Sequence, residues 1–230
     1  MKYSDFEYII SKERMGRYMS ACHQNTKKAM TLYRLNLRIS QEMFTIISCF
    51  EVALRNAIDH QLTRRLGQDW LRDSVKKGGL LDRADTKETF HNINKEYIRL
   101  KNEDAYSHPK LLSAMSFGTW KHMYAKQQFN ATGKCLMAIF PNKPKSSKEE
   151  HINQSYIYND LGSINVLRNR IAHHEPICFD KTKSKIDTCY AREKYRQIMK
   201  MYNWMGIDSG ALLYGLDHVE RICDRIDRLQ

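Results

Sequence analysis

A short polar string near residue 170 holds the side chains best suited to chemistry. Arg168, Asn169, His173 and His174 fall within seven residues, just ahead of Pro176. Histidine titrates near neutral pH and can transfer a proton, whereas arginine keeps its charge and can hold a phosphate through paired hydrogen bonds. The string therefore predicts acid–base chemistry on an anionic substrate. An equally good interpretation is a helix end, where Arg168 pairs with a surface carboxylate and both histidines cap the helix.

Helical geometry limits what this string can do alone. Asn169 and His173 lie four residues apart and share one helix face. Arg168 and His173 lie five apart, so an ideal helix points them roughly 140° away from each other. We therefore expect the site to be completed at a frayed helix end or by the same string in a partner subunit.

The elements that must position this string are helices. The chain contains 10 Gly, 4 Pro and four Val, which are too few for a sheet-rich fold. Apolar residues instead recur at helical spacing over residues 39–58, and they predict a long helix from about residue 40 to residue 66. A second helix is predicted over residues 86–101, with Thr86 as its N-cap. These patterns predict an all-α helical bundle.

The second half of the chain continues the helical pattern. Ser147 and Glu150 close a polar loop at the spacing of a capping box, so a helix is predicted to follow them. The helix with the polar string is predicted from Ser163 and must end before Pro176, because proline disfavours α geometry in the preceding residue. The last helix is predicted from apolar residues at three- and four-residue steps: Leu212, Leu216, Val219, Cys223 and Ile226. We expect one domain over residues 1–230.

The charge of the chain favours a polyanionic partner. Lys and Arg number 38 against 26 Asp and Glu, for a formal net charge of +12, which suits nucleic acid. Basic loop residues could follow an RNA backbone, although solvated surface charge explains them equally well: Lys143, Lys145, Lys148, Lys181, Lys183 and Lys185. No apolar run approaches the roughly 18 residues of a membrane span. We therefore expect a cytoplasmic protein that does not bind a membrane.

The usual signatures of metal and nucleotide cofactors are missing. The six cysteines include no C-x-x-C pair, and the chain has no H-E-x-x-H string and no glycine-rich phosphate loop. The sequence therefore predicts no metal site and no cofactor.

A sequence similar to the polar string occurs earlier in the chain. Residues 54–60 and 167–173 both read L-R-N-x-I-x-H. In the first copy, Arg55 and Asn56 fall in the middle of the long predicted helix, where an ionised arginine needs a partner such as Glu51, one turn earlier. We expect these three residues to support the catalytic string, and His60 to be dispensable. A plain salt bridge between Glu51 and Arg55 is an equally good interpretation.

Three segments together resemble one known family. Residues 168–175 are similar to the R-N-x-x-x-H signature of HEPN ribonucleases, in the form found in abortive-infection (Abi) phage-defence proteins. Residues 32–36 (LYRLN) leading into 50–56 (FEVALRN), and residues 112–120 (LSAMSFGTW), also resemble Abi proteins in the same order. The resemblance covers about residues 30–180, so residues 1–30 and 181–230 are expected to be helical extensions of open role.

The resemblance implies a HEPN-like bundle that forms a homodimer and cleaves RNA without a metal. It also implies that Arg168 and His173 are catalytic, that Asn169 is the polar position after the arginine, and that His174 matches the second histidine of the Abi form. The predicted function is an endoribonuclease of phage defence or of a toxin–antitoxin pair, in which a structured RNA could be the antitoxin. The alternatives are a catalytically silent module that holds a structured small RNA, and a regulatory protein that binds nucleotides or partner proteins.

Overall fold

A computed structural model describes residues 1–147, 150–180 and 183–230. These residues form helices and no β-strand, which confirms the predicted all-α class. An isolated antiparallel bridge joins Phe179 and Ile186. The helices are α1 (Tyr3–Ile10), α2 (Lys12–Ala21), α3 (Thr26–Leu66), α4 (Trp70–Asp73), α5 (Lys87–Asn102), α6 (His108–Ala114), α7 (Phe117–His122), α8 (Lys126–Ala131), α9 (Gln154–Ala172), α10 (Cys189–Trp204), α11 (Ser209–Leu212) and α12 (Val219–Asp227).

The helices form two compact units. The first unit comprises Met1–Ser48, Val166–Lys200 and Asp208–Gln230, and the second comprises Cys49–Asn165 and Met201–Ile207. The two L-R-N strings consequently lie in different units, the first copy in the second unit and the Arg168 copy in the first.

Aromatic rings from the N-terminal helices pack in the core of the first unit. The ring of Tyr18 lies 5.2 Å from that of Tyr33 and 5.0 Å from that of Phe179. Phe6 of α1 meets Tyr33 edge-on at 5.5 Å. Edge-to-face packing of this kind adds to the stability gained from burying the rings. The first thirty residues are therefore an integral part of this unit.

Helix α3 begins well before its predicted start near residue 40. Its first residue is Thr26, and the Oδ1 atom of Asn25 accepts a hydrogen bond from the backbone N–H of Lys28 at 3.0 Å. Asn25 thus acts as the N-cap. The apolar stripe also continues ahead of the predicted start, since Leu32 and Leu35 are buried.

Helix α5 lies within one residue of its prediction at each end, and Thr86 occupies the predicted N-cap position without capping the helix through its side chain. Thr86 ends a 3₁₀ turn (Ala84–Thr86), and its side chain makes no cap bond. Its hydroxyl instead donates to the carbonyl of Leu81 at 2.7 Å. Because Thr86 is buried, its hydroxyl needs a partner, and that carbonyl provides one.

The helix predicted to follow Glu150 and the helix predicted from Ser163 are one helix, α9, which begins at Gln154. The Oδ1 atom of Asn153 accepts from the backbone N–H of Tyr156 at 3.1 Å and caps the helix. Upstream of the helix, the Ser147 hydroxyl accepts from the Glu150 backbone N–H at 3.0 Å. The predicted end before Pro176 is confirmed.

The predicted last helix is two helices, α11 and α12. Gly215 between them has a φ of +74°, a left-handed conformation that turns the chain. Leu212 and Leu216 are exposed on α11 and the turn, whereas α12 buries Val219, Cys223 and Ile226. Arg192 of α10 holds α12 in place through ion pairs with Glu220, Asp224 and Asp227.

The second unit has its own apolar core. Phe50 packs edge-on against Tyr202 at 5.3 Å and lies 6.3 Å from Phe117. The side chain of Trp120 is fully buried. The C-terminal part of the L-S-A-M-S-F-G-T-W segment therefore packs in the core of the second unit through Phe117 and Trp120.

Candidate active site

A Schellman cap ends α9 and fixes the backbone around the two histidines. The backbone N–H of His174 donates to the carbonyl of Ile171 at 2.9 Å, and that of Glu175 donates to the carbonyl of Arg170 at 2.8 Å. His174 has a φ of +57°, in the left-handed region that glycine usually occupies. The cap satisfies two carbonyls and stops the helix at Ala172.

The four side chains of the polar string have no hydrogen-bond or ion-pair partner within the described residues. Arg168 is half-buried, while Asn169, His173 and His174 are exposed. Partial burial of a guanidinium costs free energy when no hydrogen-bond partner replaces the lost water. An anion that binds beside Arg168 would supply the missing partner.

Arg170, two residues along the same helix, is fully engaged by contrast. Its Nε atom donates to Oε2 of Glu175 at 3.0 Å, and its Nη2 atom donates to the carbonyl of Pro176 at 2.9 Å. Its guanidinium also lies 4.7 Å from the ring centre of Tyr190. The structural interpretation of the string, an arginine paired with a surface carboxylate, therefore applies to Arg170 and not to Arg168.

The chain that follows the histidines is anchored by other elements of the first unit. Arg14 of α2 donates from Nη1 to the carbonyl of His174 at 2.9 Å. The buried Asn36 of α3 accepts from the backbone N–H of Ile177 at 3.0 Å. These contacts hold the histidine backbone from two helices and reduce its freedom to fray.

Arg17 anchors the same segment further along. Its Nη2 atom donates to the carbonyls of Asp180 at 2.6 Å and Lys183 at 3.1 Å. Its guanidinium lies 4.5 Å above the ring of Phe179. Arg17 therefore serves the structure of the segment.

A cleft of about 480 Å³ opens beside the histidines. It is walled by α2 on one side and by the end of α9 on the other. Its lining residues are Ser11, Glu13, Arg14, Arg17, Tyr18, His173, His174, Glu175 and Pro176. The cleft therefore brings two arginines next to the predicted catalytic histidine.

Local environment sets the protonation of several groups around this cleft. Burial raises the pKa of Tyr18 and of the nearby Cys178 well above their usual ranges, so both stay neutral. Glu13 has a lowered pKa, first because its own backbone N–H donates to it and then because the Ser11 hydroxyl does. The cleft consequently offers no thiolate nucleophile from Cys178.

The first L-R-N copy lies on the part of α3 that belongs to the second unit. Glu51, Arg55 and Asn56 are half-buried, and His60 is exposed. The Nε atom of Arg55 donates to Oδ1 of the adjacent Asn56 at 3.5 Å, a long hydrogen bond. The supporting role assigned to this copy stays a prediction.

The described loop lysines belong to both units. Lys143 and Lys145 belong to the second unit, whereas Lys183 and Lys185 belong to the first, which also holds Arg168. Lys145, Lys183 and Lys185 are exposed and Lys143 is half-buried. Lys148 and Lys181 lie outside the described residues.

Sequence reasoning missed Arg14 and Arg17. They lie on α2, in a segment for which no role was predicted, and about 160 residues separate Arg14 from the histidine that it contacts. The available signal was their three-residue spacing, which places both on one face of a helix.

The described residues contain neither a cluster suited to a metal ion nor a helix suited to a membrane. No group of three or more His, Cys, Asp or Glu side chains is arranged to hold a metal ion. No helix among these residues combines the length and the apolar character needed to cross a membrane.

Comparison with known proteins identifies the family. Neither the curated proteins nor the solved structures contain a significant match to this chain. A family model described as Abi-like protein, however, matches residues 1–178. The matched region includes α1 and α2, which precede the segments that resemble Abi proteins in the sequence analysis. It ends four residues after His174. The chain therefore belongs to the Abi-like protein family.

Proposed function

We propose that this protein is a metal-independent endoribonuclease of the HEPN type that acts in abortive-infection phage defence. Family membership supports the defence role. The observation that carries the enzymatic part is a contrast at the end of α9. Arg168, Asn169 and His173 have no hydrogen-bond or ion-pair partners among the described residues, whereas Arg170 is bonded to Glu175 and Pro176. Side chains kept free beside a firmly anchored segment are suited to a substrate rather than to the fold.

The proposed reaction needs only groups that the chain provides. His173 accepts the proton of the RNA 2′-OH as that oxygen forms a bond to the adjacent phosphorus. The bond from phosphorus to the 5′ oxygen breaks, and a second histidine protonates the leaving oxygen, which leaves a 2′,3′-cyclic phosphate. Arg168 stabilises the charge on the phosphoryl oxygens.

A homodimer would complete this site. The five-residue step from Arg168 to His173 corresponds to a divergence of roughly 140° in ideal helical geometry, so we do not expect a single copy to aim both at one phosphate. Two facing copies would let Arg168 of one subunit act with His173 of the other. The second histidine is then either His173 of the partner subunit or His174.

The first test is cleavage of total RNA by the purified protein in EDTA. We expect fragments that end in 2′,3′-cyclic phosphate. We also expect Arg168→Ala and His173→Ala each to lower the cleavage rate at least a hundredfold, because each removes a group used in the transition state. The melting temperatures of both variants should stay within about 2 °C of wild type, because neither side chain makes a hydrogen bond or an ion pair within the described residues.

Arg170→Ala is the matched comparison, with the same residue type on the same helix. It should lower the melting temperature clearly, because it removes the bonds to Glu175 and Pro176 and the contact with Tyr190. RNA binding without any fragments would instead favour the silent RNA-holding module. Wild-type rates in Arg168→Ala or His173→Ala would refute the catalytic assignment.

A further inference from the structure

Arg14 connects α2 to the end of the catalytic helix. Its Nη1 atom donates to the His174 carbonyl at 2.9 Å, and its side chain lines the same cleft as His173. The guanidinium is exposed, although one of its nitrogens is held. This hydrogen bond sets the orientation of the guanidinium plane beside the histidines.

Most of the hydrogen-bonding capacity of Arg14 is unused. A guanidinium has five N–H donors, and among the described residues Arg14 uses a donor for His174 alone. Arg17 lines the cleft too, but it is half-buried and engaged by Asp180, Lys183 and the ring of Phe179. Arg14 is therefore the exposed one of the two cleft arginines, and it has the larger number of unused donors.

Neither carboxylate that lines the cleft forms an ion pair with Arg14 in the described part of the chain. Glu175 is paired with Arg170. Glu13 also lines the cleft, and hydrogen bonds from its own backbone N–H and from Ser11 lower its pKa. The guanidinium of Arg14 is therefore not held by a carboxylate.

We propose that Arg14 binds a backbone phosphate of the RNA next to the nucleotide on which His173 acts. This inference rests on the proposed ribonuclease function. The free edge of the guanidinium offers paired N–H groups, which match two oxygens of a phosphodiester. Arg14 thereby adds a substrate contact from a helix about 160 residues away from the histidines in sequence.

The test measures RNA binding in a background that cannot cleave. A labelled single-stranded RNA oligonucleotide is titrated with His173→Ala protein, with and without Arg14→Ala, at several salt concentrations. We expect Arg14→Ala to raise Kd about tenfold and to reduce the slope of log affinity against log salt by about 0.7, the value for one phosphate contact on a single strand.

Lys12→Ala is the matched control for loss of one positive charge from α2. Lys12 is exposed and does not line the cleft. It should leave Kd and the salt slope unchanged. Arg14→Lys should keep the salt slope near that of the parent, because the charge remains, but it should lose part of the affinity with the paired donors.

The outcomes separate this inference from the proposed function. A salt slope unchanged in Arg14→Ala would overturn the phosphate contact, even if Kd rose, because loosening of the segment alone changes affinity and not the number of phosphates neutralised. If wild type cuts RNA and Arg14→Ala cuts it with the same kcat/KM, the inference is wrong and the ribonuclease stands. If wild type does not cut RNA, the slope measurement still decides whether Arg14 binds phosphate.

Discussion

His174 carries a left-handed backbone conformation that costs most side chains free energy. Its φ of +57° closes the Schellman cap, a position where glycine is unstrained. We expect His174→Gly to raise the free energy of unfolding by about 1 kcal/mol, measured by urea denaturation. His173→Gly is the control. Because His173 has no positive φ, glycine there should destabilise the protein.

Loss of stability in His174→Gly would contradict this explanation and point to a stabilising contact of the imidazole. A neutral or positive result would leave the second histidine free for chemistry. Cleavage by His174→Gly then tells whether the imidazole is used in the reaction or whether the residue serves the backbone alone.

The sequence predicted the catalytic candidates at this scale but not their surroundings. Arg168 and His173 are close in sequence, and their residue types suggest their chemistry directly. Arg14 was invisible because its contact with His174 is made through tertiary structure, between residues about 160 positions apart. Likewise, no pattern in the string distinguishes the engaged Arg170 from the unpartnered Arg168.

At the scale of elements, Asp59 ties three helices of the second unit together. Its Oδ1 atom, on α3, accepts from the indole N–H of Trp70 on α4 at 2.7 Å and lies 2.7 Å from Nε2 of His108 on α6. Trp70 and His108 are both buried. Asp59→Ala would leave both donors without this acceptor, so we expect it to lower the free energy of unfolding by about 3 kcal/mol.

Asp59→Asn is the control for this prediction, because its amide oxygen can still accept a hydrogen bond. Chemical denaturation should show a smaller loss for Asn than for Ala. Equal losses would mean that the charge of Asp59 matters and that its acceptor role does not. A loss below about 1 kcal/mol for Ala would show that the three helices are held together by other contacts.

Helix starts were the least predictable part of the fold. Helical stripes correctly predicted the existence of α3, α5 and α9, because burial imposes a period that is visible in sequence. Asn25 and Asn153 make the actual caps of α3 and α9, while Thr86 and Ser147 look equally suitable and bond elsewhere. Which hydroxyl or amide caps a helix depends on the path of the preceding chain, which local sequence does not specify.

At the scale of the whole molecule, the proposed site requires two copies of the chain. Light scattering should give a mass of about twice 27.2 kDa. A sharper measurement mixes two inactive variants, Arg168→Ala and His173→Ala, and allows their subunits to exchange. We expect cleavage to return in the mixture, because one of the two facing sites would then contain both Arg168 and His173.

Each variant alone serves as the control for this exchange. If the mixture forms dimers of the two variants and stays inactive, either Arg168 and His173 act within one subunit or the second histidine is His173 of the partner subunit, which the mixed dimer lacks. A monomer that retains full activity would remove the paired site altogether.

The ion pairs of Arg192 with α12 belong to a part of the first unit that lies beyond the family match. The family match ends at residue 178, yet the first unit also includes residues up to Lys200 and from Asp208 to Gln230. Glu42 on α3 accepts from the backbone N–H of His218, and Lys28 donates to the carbonyl of Gln230. The residue at which the family match ends is thus not a boundary of folding in this chain. A chain shortened to residues 1–178 would lose the part of the first unit's core that α12 supplies through Val219, Cys223 and Ile226.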